Sequence, residues 1–431
     1  MSEGLHALAG GKRMGILSYR DDKLRFTYGE EWQNDPAAFP LSLSMPLHTA
    51  EHGDAVARPF VTGLLPDDVT VLRRWGQQFQ VSAGNPFRLL EHVGEECAGA
   101  IQFVTADRAE QWLSGDPPEG VDWLSDEELA ERITGLVKDR SRARRIGDEG
   151  HFSLAGAQPK TGLYRDEAGA RWGIPKGATP TTHILKPSLG EFDAYEENEH
   201  FCLRLAGAVG LPAARSWTEQ IGGIPTIIVE RFDRVRSGDR VVRVHQEDMC
   251  QALARMPDRK YENEGGPSAR EIIELIRAES SKPEEDVLRF VDAQIFNYLI
   301  AGTDAHAKNY GLLLAGGRQV RLSRLYDVSS SLPYPNDIRP KKARLAMKVG
   351  GTYQLWKIGP HQWEKAAEEW GLEQDLVVAR IRDLAGSIQE VTSSLRGEVG
   401  ALSKEAETVI EQLEEGILKN AEATTKLFNR A

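Results

Sequence analysis

Hydrophobic and polar positions follow different patterns along the chain and divide it into three parts. Over residues 14–28 apolar side chains alternate with polar ones around Asp21-Asp22, which predicts a β-hairpin. Short helices are expected at 69–79 and 86–92, followed by a strand at 98–105. These elements predict a first part of mixed α/β structure.

The middle part follows a stretch at 116–120 that contains two prolines and a glycine, which we interpret as a linker. Ser125 and Glu128 have the spacing of a capping box and predict a helix over 125–146 with a basic end. Strands are expected at 181–186 and 224–229, with a helix at 196–209 between them.

In the last part of the chain, apolar residues recur mostly at the spacing typical of helices. Apolar residues recur every four positions from Val287 to Leu299, which predicts a buried helix that starts near Ser281 and stops at Gly302. A short strand is expected at 322–326 and an amphipathic helix around 410–417. We therefore expect an N-terminal subdomain at 1–115, a mixed α/β lobe at 120–235 and a mostly helical lobe at 236–431.

Composition narrows the class of protein. With 431 residues, 40% hydrophobic and 27% charged, the chain has the composition of a folded protein of several domains. The net charge of −12 argues against coating nucleic acid by bulk charge. No stretch of about 20 apolar residues occurs, so no membrane span is expected. Cys97, Cys202 and Cys250 are far apart and are expected to be reduced thiols in a cytoplasmic protein.

The most informative polar cluster follows the predicted buried helix. Asp304 and Asn309 have the spacing D-x-x-x-x-N of a kinase catalytic loop. In that chemistry the Asp reaches the proton of an attacking hydroxyl, and the Asn holds a Mg²⁺ on the transferred phosphate. Asp327 stands where a kinase places its main Mg²⁺ ligand. A turn-forming aspartate is the alternative interpretation of Asp327.

A lysine and a glutamate fit the same chemistry. Lys186 ends a predicted strand, where a kinase lysine holds phosphate oxygens, and an acidic residue on a helix commonly orients it. Glu199 is the candidate for that acidic residue, with Glu196 and Glu197 as alternatives. An exposed lysine at a strand end is the other interpretation of Lys186.

Two further segments fit a nucleotide site. Small residues at 153–160 would let the backbone close on phosphates, with Lys160 at the end of the segment. Residues 230–233 would form a hinge against the adenine edge, with Asp233 near the ribose. Other catalytic classes fit poorly, since no HExxH motif occurs and Ser153 lies in no GxSxG motif.

These segments together resemble the HipA toxin kinases, the toxin half of HipBA-type toxin–antitoxin pairs. In the first part the matching segments are LSLSMPL (41–47), LLPDD (64–68) and NPFRLLEHVGEECAGAIQF (85–103). Further on they are SLAGAQPKTGLY (153–164), TPTTHILKP (179–187), VERFDR (229–234), QEDMCQAL (246–253), YLIAGTDAHAKNYG (298–311) and LYDVSSSLP (325–333). The resemblance covers nearly the whole chain, in the right order.

The resemblance implies an α+β fold, in which a small N-terminal α/β subdomain precedes a bilobal protein-kinase-like fold related to phosphoinositide kinases, with a mostly helical C-terminal lobe. It implies a serine/threonine-protein kinase that uses ATP and Mg²⁺. By residue, it makes Asp304 and Lys186 catalytic, and Asn309 and Asp327 metal ligands. The residues it places at the nucleotide are Ser153, Ala155, Gly156, Ala157, Gln158, Lys160, Lys186, Glu230, Arg231, Phe232, Asp233, His306, Lys308, Asn309 and Asp327.

Ser153 falls on the family's autophosphorylation serine, whose modification expels the phosphate loop and silences the kinase. A phosphate of about −2 charge beside a site for ATP phosphates would repel them. A turn serine is the alternative interpretation. The sequence departs from the family at Pro159, where glutamate is common, and because proline lacks an N–H donor we expect altered nucleotide affinity or loop switching.

The resemblance also implies partners. The expected substrate is an aminoacyl-tRNA synthetase, glutamyl-tRNA synthetase first, with or without bound tRNA, and its phosphorylation would block translation and cause growth arrest or persistence. A HipB-like helix-turn-helix antitoxin would neutralise the kinase and co-repress the operon with it on operator DNA. A basic segment at 339–348 would face the substrate or DNA, unless it is only an exposed loop. Two alternatives stay open: a small-molecule kinase on the same fold, and a non-catalytic co-repressor pseudokinase.

Overall fold

The computed structural model describes residues 4–114, 119–139, 156, 158–166, 168, 170–238 and 240–429. Three predicted site residues, Ser153, Ala155 and Ala157, lie outside the described residues, as do the basic residues of 140–145. No helix in these described ranges is long and apolar enough to cross a membrane.

The N-terminal part is built on an antiparallel sheet. Its described elements are β1 (Leu5–Ala9), β2 (Lys12–Arg20), β3 (Lys23–Tyr28), α1 (Glu30–Gln33), β4 (Glu51–His52), α2 (Asp54–Gly63), α3 (Val69–Phe79), α4 (Pro86–Val93), β5 (Gln102–Val104) and α5 (Ala106–Leu113). The strand order is β4-β3-β2-β1-β5. The predicted hairpin is confirmed, because Asp21 and Asp22 form a two-residue turn with φ of 50° and 59°. The strand expected at 98–105 is shorter than predicted.

The middle part forms a second sheet. Its elements are β6 (Glu119–Trp123), α6 (Asp126–Lys138), β7 (Thr161–Arg165), β8 (Trp172–Gly177), β9 (His183–Pro187), α7 (Tyr195–Ala208), β10 (Ser216–Ile221) and β11 (Ile224–Glu230). The order is β10-β11-β9-β7-β8-β6.

Two predictions for this middle part are corrected. The linker expected at 116–120 overlaps β6, because Glu119 and Gly120 pair with β8 as an edge strand. The capping box at Ser125 is confirmed, but α6 ends at Lys138 and Asp139 is extended. Beyond Val137 the sequence supplies charged and small residues with no apolar face for a longer helix to bury.

The last part is helical with small sheets inserted. Its elements are β12 (Arg234–Ser237), β13 (Arg240–Arg243), β14 (His245–Asp248), α8 (Met249–Ala252), α9 (Ala269–Glu279), α10 (Pro283–Leu299), β15 (Gly311–Ala315), β16 (Gln319–Leu322), β17 (Arg344–Val349), β18 (Thr352–Gln354), α11 (Pro360–Glu369), α12 (Gln374–Glu398) and α13 (Lys404–Phe428). In the sheet β14-β15-β16, β15 directly follows the predicted catalytic loop and pairs with both other strands.

The predicted buried helix is confirmed as α10, which begins with Pro283 in its first turn rather than near Ser281. Its apolar side chains pack with α7, α9 and α11–α13 in the largest hydrophobic core. The strand expected at 322–326 is wrong, because β16 ends at Leu322 and Leu325 makes only an isolated bridge with Ala213. The segment before Asp327 is therefore irregular apart from this bridge, and Asp327 itself has a φ of 58°.

Buried polar contacts join the N-terminal part to the other two. Glu96 accepts hydrogen bonds from Arg231 (3.1 Å) and Arg234 (2.8 Å) and also pairs with Arg243. Burial opposes ionisation of Glu96, but the three guanidinium groups outweigh it and hold its pKa well below the ordinary value. A second contact joins the N-terminal part to the last part: Glu247 of β14 accepts a hydrogen bond from the backbone N–H of Leu43 (2.8 Å). These contacts bring the N-terminal part against the cleft between the other two.

Candidate active site

A buried lysine between two carboxylates forms the centre of the site. Lys186 lies on β9, where pairing with β11 fixes its direction. Its Nζ donates to Glu199 Oε1 (2.7 Å) and to Asp327 Oδ1 (2.6 Å). Glu199 comes from α7, so the two contacts of one lysine join the sheet, the helix and the segment after β16. The structure thus pairs Glu199, rather than Glu196 or Glu197, with the lysine.

The charges of this cluster depend on each other. Burial opposes the charged form of Asp327, but Lys186 and Lys160 outweigh it and hold its pKa well below the ordinary value. Burial likewise opposes charge on Lys186, yet Asp327 and Glu199 raise its pKa above the usual range. Burial raises the pKa of Glu199 against the attraction of Lys186. The arrangement keeps Asp327 an anion and Lys186 a cation at neutral pH.

The predicted catalytic loop follows α10 and is held by its own amide side chain. Asn309 Nδ2 donates to the backbone oxygens of Asp304 (2.9 Å) and Asp327 (3.3 Å). This places the two predicted metal-binding segments next to each other and directs the Asn309 Nδ2 group into the protein. The Asp304 carboxylate is exposed at the cleft, where an incoming hydroxyl can reach it.

Tyr261 also holds Asp304, and the sequence analysis did not single it out. Its hydroxyl donates a short hydrogen bond to Asp304 Oδ1, and its ring meets the His306 ring edge-on at 5.0 Å. His306 is buried, and its Nδ1 has no hydrogen-bond partner among the described residues. Burial lowers the pKa of His306, so its imidazole is neutral at neutral pH.

The described part of the phosphate loop lies beside the lysine cluster. Gly156 has a φ of 107°, which residues with a Cβ rarely adopt, and a Cβ on it would lie 2.5 Å from Lys160 Nζ, so that the lysine would have to shift. Burial lowers the pKa of Lys160 to about 8. Gln158 and Pro159 line the same cleft.

The predicted hinge makes more contacts within the protein than the sequence suggests. Arg231 and Asp233 are both buried and pair with each other, with Nη2 of Arg231 2.7 Å from Oδ2 of Asp233. Asp233 Oδ2 also accepts from the backbone N–H of Gly99 (2.7 Å). The Asp233 carboxylate is therefore engaged, and its contact with a ribose stays a prediction. Phe232 packs 5.3 Å from the Tyr326 ring, which gives this end of the cleft an aromatic wall.

One cleft of about 420 Å³ brings these groups together. That volume is within the range of small-molecule sites. The predicted site residues that line it are Gly156, Gln158, Lys160, Lys186, Glu230, Arg231, Phe232, Asp233, Asp304, His306, Lys308, Asn309 and Asp327. Every predicted site residue within the described ranges is among them, although their individual roles stay predictions.

The cleft also contains residues that the sequence analysis missed. Asp67 and Ala98 come from the N-terminal part, and Lys260 and Tyr195 from segments with no motif of their own. Only folding brings them to the cleft, so spacing along the chain holds no signal for them. Asp67 and Ala98 lie in the segments 64–68 and 85–103, which match the family but carry no catalytic spacing.

The donor atoms suit ATP with Mg²⁺. Buried Lys160 and Lys186 are cations that can face phosphate oxygens, and Asp327 and Asn309 offer the carboxylate and amide oxygens that Mg²⁺ prefers. Within the described ranges, no group of three or more His, Cys, Asp or Glu side chains could hold a metal ion alone. At phosphotransfer sites Mg²⁺ is commonly bound by one or two carboxylates together with substrate phosphates.

The chain is similar to known proteins over almost its whole length. The family model described as "HipA-like C-terminal domain" matches residues 152–392, and "HipA N-terminal domain" matches residues 5–104. The Sinorhizobium fredii protein named "Putative kinase Y4mE" is 38% identical over 376 residues, which cover 87% of each chain. The "Serine/threonine-protein kinase toxin HipA" of Shewanella oneidensis is 27% identical over 413 residues, covering 90% of this chain and 88% of that protein.

A solved structure shows the same fold. A chain in the complex of HipA, HipB and operator DNA from Shewanella oneidensis superposes with a TM-score of 0.84 at 24% identity. The superposition covers 99% of this chain and 98% of that one. The predicted α+β fold with a helical C-terminal part is confirmed.

Proposed function

The chain belongs to the HipA family of serine/threonine-protein kinase toxins, and from that premise we propose that it transfers the γ-phosphoryl group of ATP to a serine or threonine of another protein. The observation that carries the proposal is the contact of Lys186 with Glu199 and Asp327 in the same cleft as Asp304 and Asn309. A kinase needs these groups together.

Each group has a role that its surroundings support. Asp304 accepts the proton of the attacking hydroxyl, and Tyr261 keeps its carboxylate pointed at the cleft. Lys186 and Lys160 hold phosphate oxygens. Asp327 and Asn309 would hold Mg²⁺, which when bound neutralises charge on the transferred phosphate.

We propose that the kinase also controls itself through Ser153, which lies outside the described residues. The neighbouring Gly156 and Lys160 line the phosphate end of the cleft. A doubly charged phosphate attached three residues before Gly156 would compete with nucleotide phosphates for Lys160 and Lys186.

For the cellular role we propose an aminoacyl-tRNA synthetase as substrate, glutamyl-tRNA synthetase first, and growth arrest in the cytoplasm as the result. A HipB-like antitoxin would neutralise the kinase and bind operator DNA with it. These assignments rest on family membership and on the related complex, in which HipA, HipB and operator DNA occur together.

The basic segment at 339–348 supports a substrate contact near Asp304. The backbone N–H of Lys348 donates to Glu262 (2.7 Å), and Glu262 adjoins Tyr261, which contacts Asp304. Arg344 lies 5.1 Å from the Tyr353 ring, so a cationic and aromatic surface borders the acceptor side. We infer that this surface receives an anionic part of the substrate.

The surface is tested by replacing Lys341, Lys342 and Arg344 with alanine. Phosphorylation of the synthetase is measured with and without tRNA, together with operator binding by the antitoxin complex. A charge-matched control replaces the lysines of α13, namely Lys404, Lys419 and Lys426. If neither measurement changes by more than it does in the control, the surface has no part in substrate or DNA binding.

The kinase proposal itself is tested with γ-labelled ATP and Mg²⁺. The protein is incubated with purified synthetase and with cell lysate, beside the Asp304→Asn variant. Label on a synthetase-sized band that disappears in the variant supports the proposal. Label only on small molecules would favour a small-molecule kinase. No label anywhere, including on the kinase itself, would show that the fold serves a non-catalytic role.

A further inference from the structure

The loop that connects α2 and α3 reaches from the N-terminal part into the cleft. Asp67 lies in this loop, and only 14% of its side chain is exposed. Its Oδ1 pairs with Lys308 Nζ of the catalytic loop, and its Oδ2 lies 3.3 Å from Lys260 Nζ. One carboxylate thus bridges two lysines from separate segments of the helical part.

The backbone of the same loop contacts the phosphate loop. The N–H of Asp67 donates to the carbonyl oxygen of Gly156 (3.2 Å), and Pro66 forms a parallel bridge with Gly156. The side chain and the main chain of one residue therefore touch the catalytic loop and the phosphate loop at once.

Lys308 explains why the carboxylate matters. Only 5% of its side chain is exposed, so its ammonium group needs an anion close by. The charge of Asp248 also favours the charged form of Lys308, but the Asp248 carboxylate caps α8 through the N–H of Gln251 (2.9 Å). Lys308 immediately precedes Asn309, so a shift of Lys308 moves the residue that holds the backbone of Asp304 and Asp327.

We propose that Asp67 is a positioning residue for phosphoryl transfer, through which the N-terminal part sets the geometry of the catalytic loop and the phosphate loop. The catalytic half of this inference rests on the proposed kinase activity, whereas the pairing with the two lysines does not. Asp67 contacts neither reacting group. It acts through Lys308, Lys260 and Gly156.

The test replaces Asp67 with asparagine, which has nearly the same volume but no charge. Asp68→Asn is the matched control, because Asp68 caps α3 through the N–H of Thr70 (2.7 Å) and asparagine caps a helix equally well. Asp67→Glu retains the charge on a side chain one methylene longer. Each variant is compared with the full wild-type chain for thermal stability, kcat and KM for ATP.

A second measurement does not depend on kinase activity. Lysine acetylation by a water-soluble ester is followed by mass spectrometry at Lys308 and Lys260. If the carboxylate holds both lysines, Asp67→Asn makes them more reactive while distant lysines stay unchanged, and Asp68→Asn changes neither.

The expected result is a fall in kcat of ~10-fold in Asp67→Asn together with a lower melting temperature, because Lys308 loses a buried partner, and recovery of most of both in Asp67→Glu. An unchanged or higher kcat in Asp67→Asn, or an equal fall in Asp68→Asn, would overturn the positioning role. A lower melting temperature with unchanged kcat would reduce Asp67 to a structural contact. If the wild type itself has no kinase activity, unchanged acetylation of both lysines in Asp67→Asn still refutes the pairing.

Discussion

Replacing Lys186 with methionine tests the electrostatic account of the site, because it removes one charge and keeps most of the side-chain volume. The Lys186 and Glu199 side chains are 7% and 2% exposed, so the variant leaves a buried carboxylate without its cation. Loss of one partner of a buried ion pair costs about 3–5 kcal/mol. Since the Asp327 side chain is 37% exposed and partly solvated, we expect the lower end, ~3 kcal/mol.

The loss of folding stability in Lys186→Met should increase as pH rises. In the wild type the pKa of Asp327 is depressed, so its contribution to stability is present above its unfolded pKa and disappears only in strong acid. Burial raises the pKa of Glu199 against the attraction of Lys186, so without Lys186 that pKa rises further and the folded state loses stability as pH rises through the raised value. The difference between wild type and variant therefore grows from pH 5 to pH 8.

Thermal unfolding at pH 5 and pH 8 measures this directly. We expect a fall of roughly 6–12 °C at pH 8, from ~3 kcal/mol at about 2–4 °C per kcal/mol, and a clearly smaller fall at pH 5. Lys176→Met on β8 of the same sheet is the control, since its partner Asp122 is 56% exposed and such a pair contributes about 0–1 kcal/mol. A pH-independent loss, or a loss no larger than that of the control, would refute the reasoning. Phosphoryl transfer is lost in Lys186→Met at either pH.

Three further changes follow from the same contacts. Burial raises the pKa of Glu247 to about 8, so the stability that the neutral carboxyl group contributes to the folded state is lost as pH rises through that value. The Glu247→Gln variant should therefore melt at a higher temperature than the wild type at pH 8.5 but not at pH 5. Glu96→Gln leaves three arginines without their shared anion and should lower the free energy of unfolding in urea by ~3–5 kcal/mol, and a loss under 1 kcal/mol would contradict the account. Tyr261→Phe frees the carboxylate of Asp304 and should lower kcat ~3–10-fold with KM for ATP unchanged in a labelled-ATP assay, whereas an unchanged kcat would exclude a role for the hydroxyl.

Most helices and strands agree with those predicted from the hydrophobic pattern of the sequence. The exceptions lie where that pattern gives way to polar residues. The four-residue recurrence through Val287 and Leu299 predicted α10, because a buried helix must place apolar side chains on its covered face. The extended helix over 125–146 and the strand before Asp327 were wrong. The sequence after Lys138, where α6 ends, is short of apolar residues, and the segment before Asp327 is held by a single bridge, so local periodicity did not determine either outcome.

The sequence by itself determined which residue types could carry the chemistry. Asp304 and Asn309 stand on one short loop, where spacing alone restricts their geometry, and long motifs identify the family. The choice of Glu199 over Glu196 and Glu197 needed the structure, because all three lie on the same helix and only packing decides which one faces Lys186. The same is true of Tyr261 and Asp67, which reach the cleft from distant segments. Contacts between residues far apart along the chain leave no periodicity to detect, so only the tertiary structure could place them there.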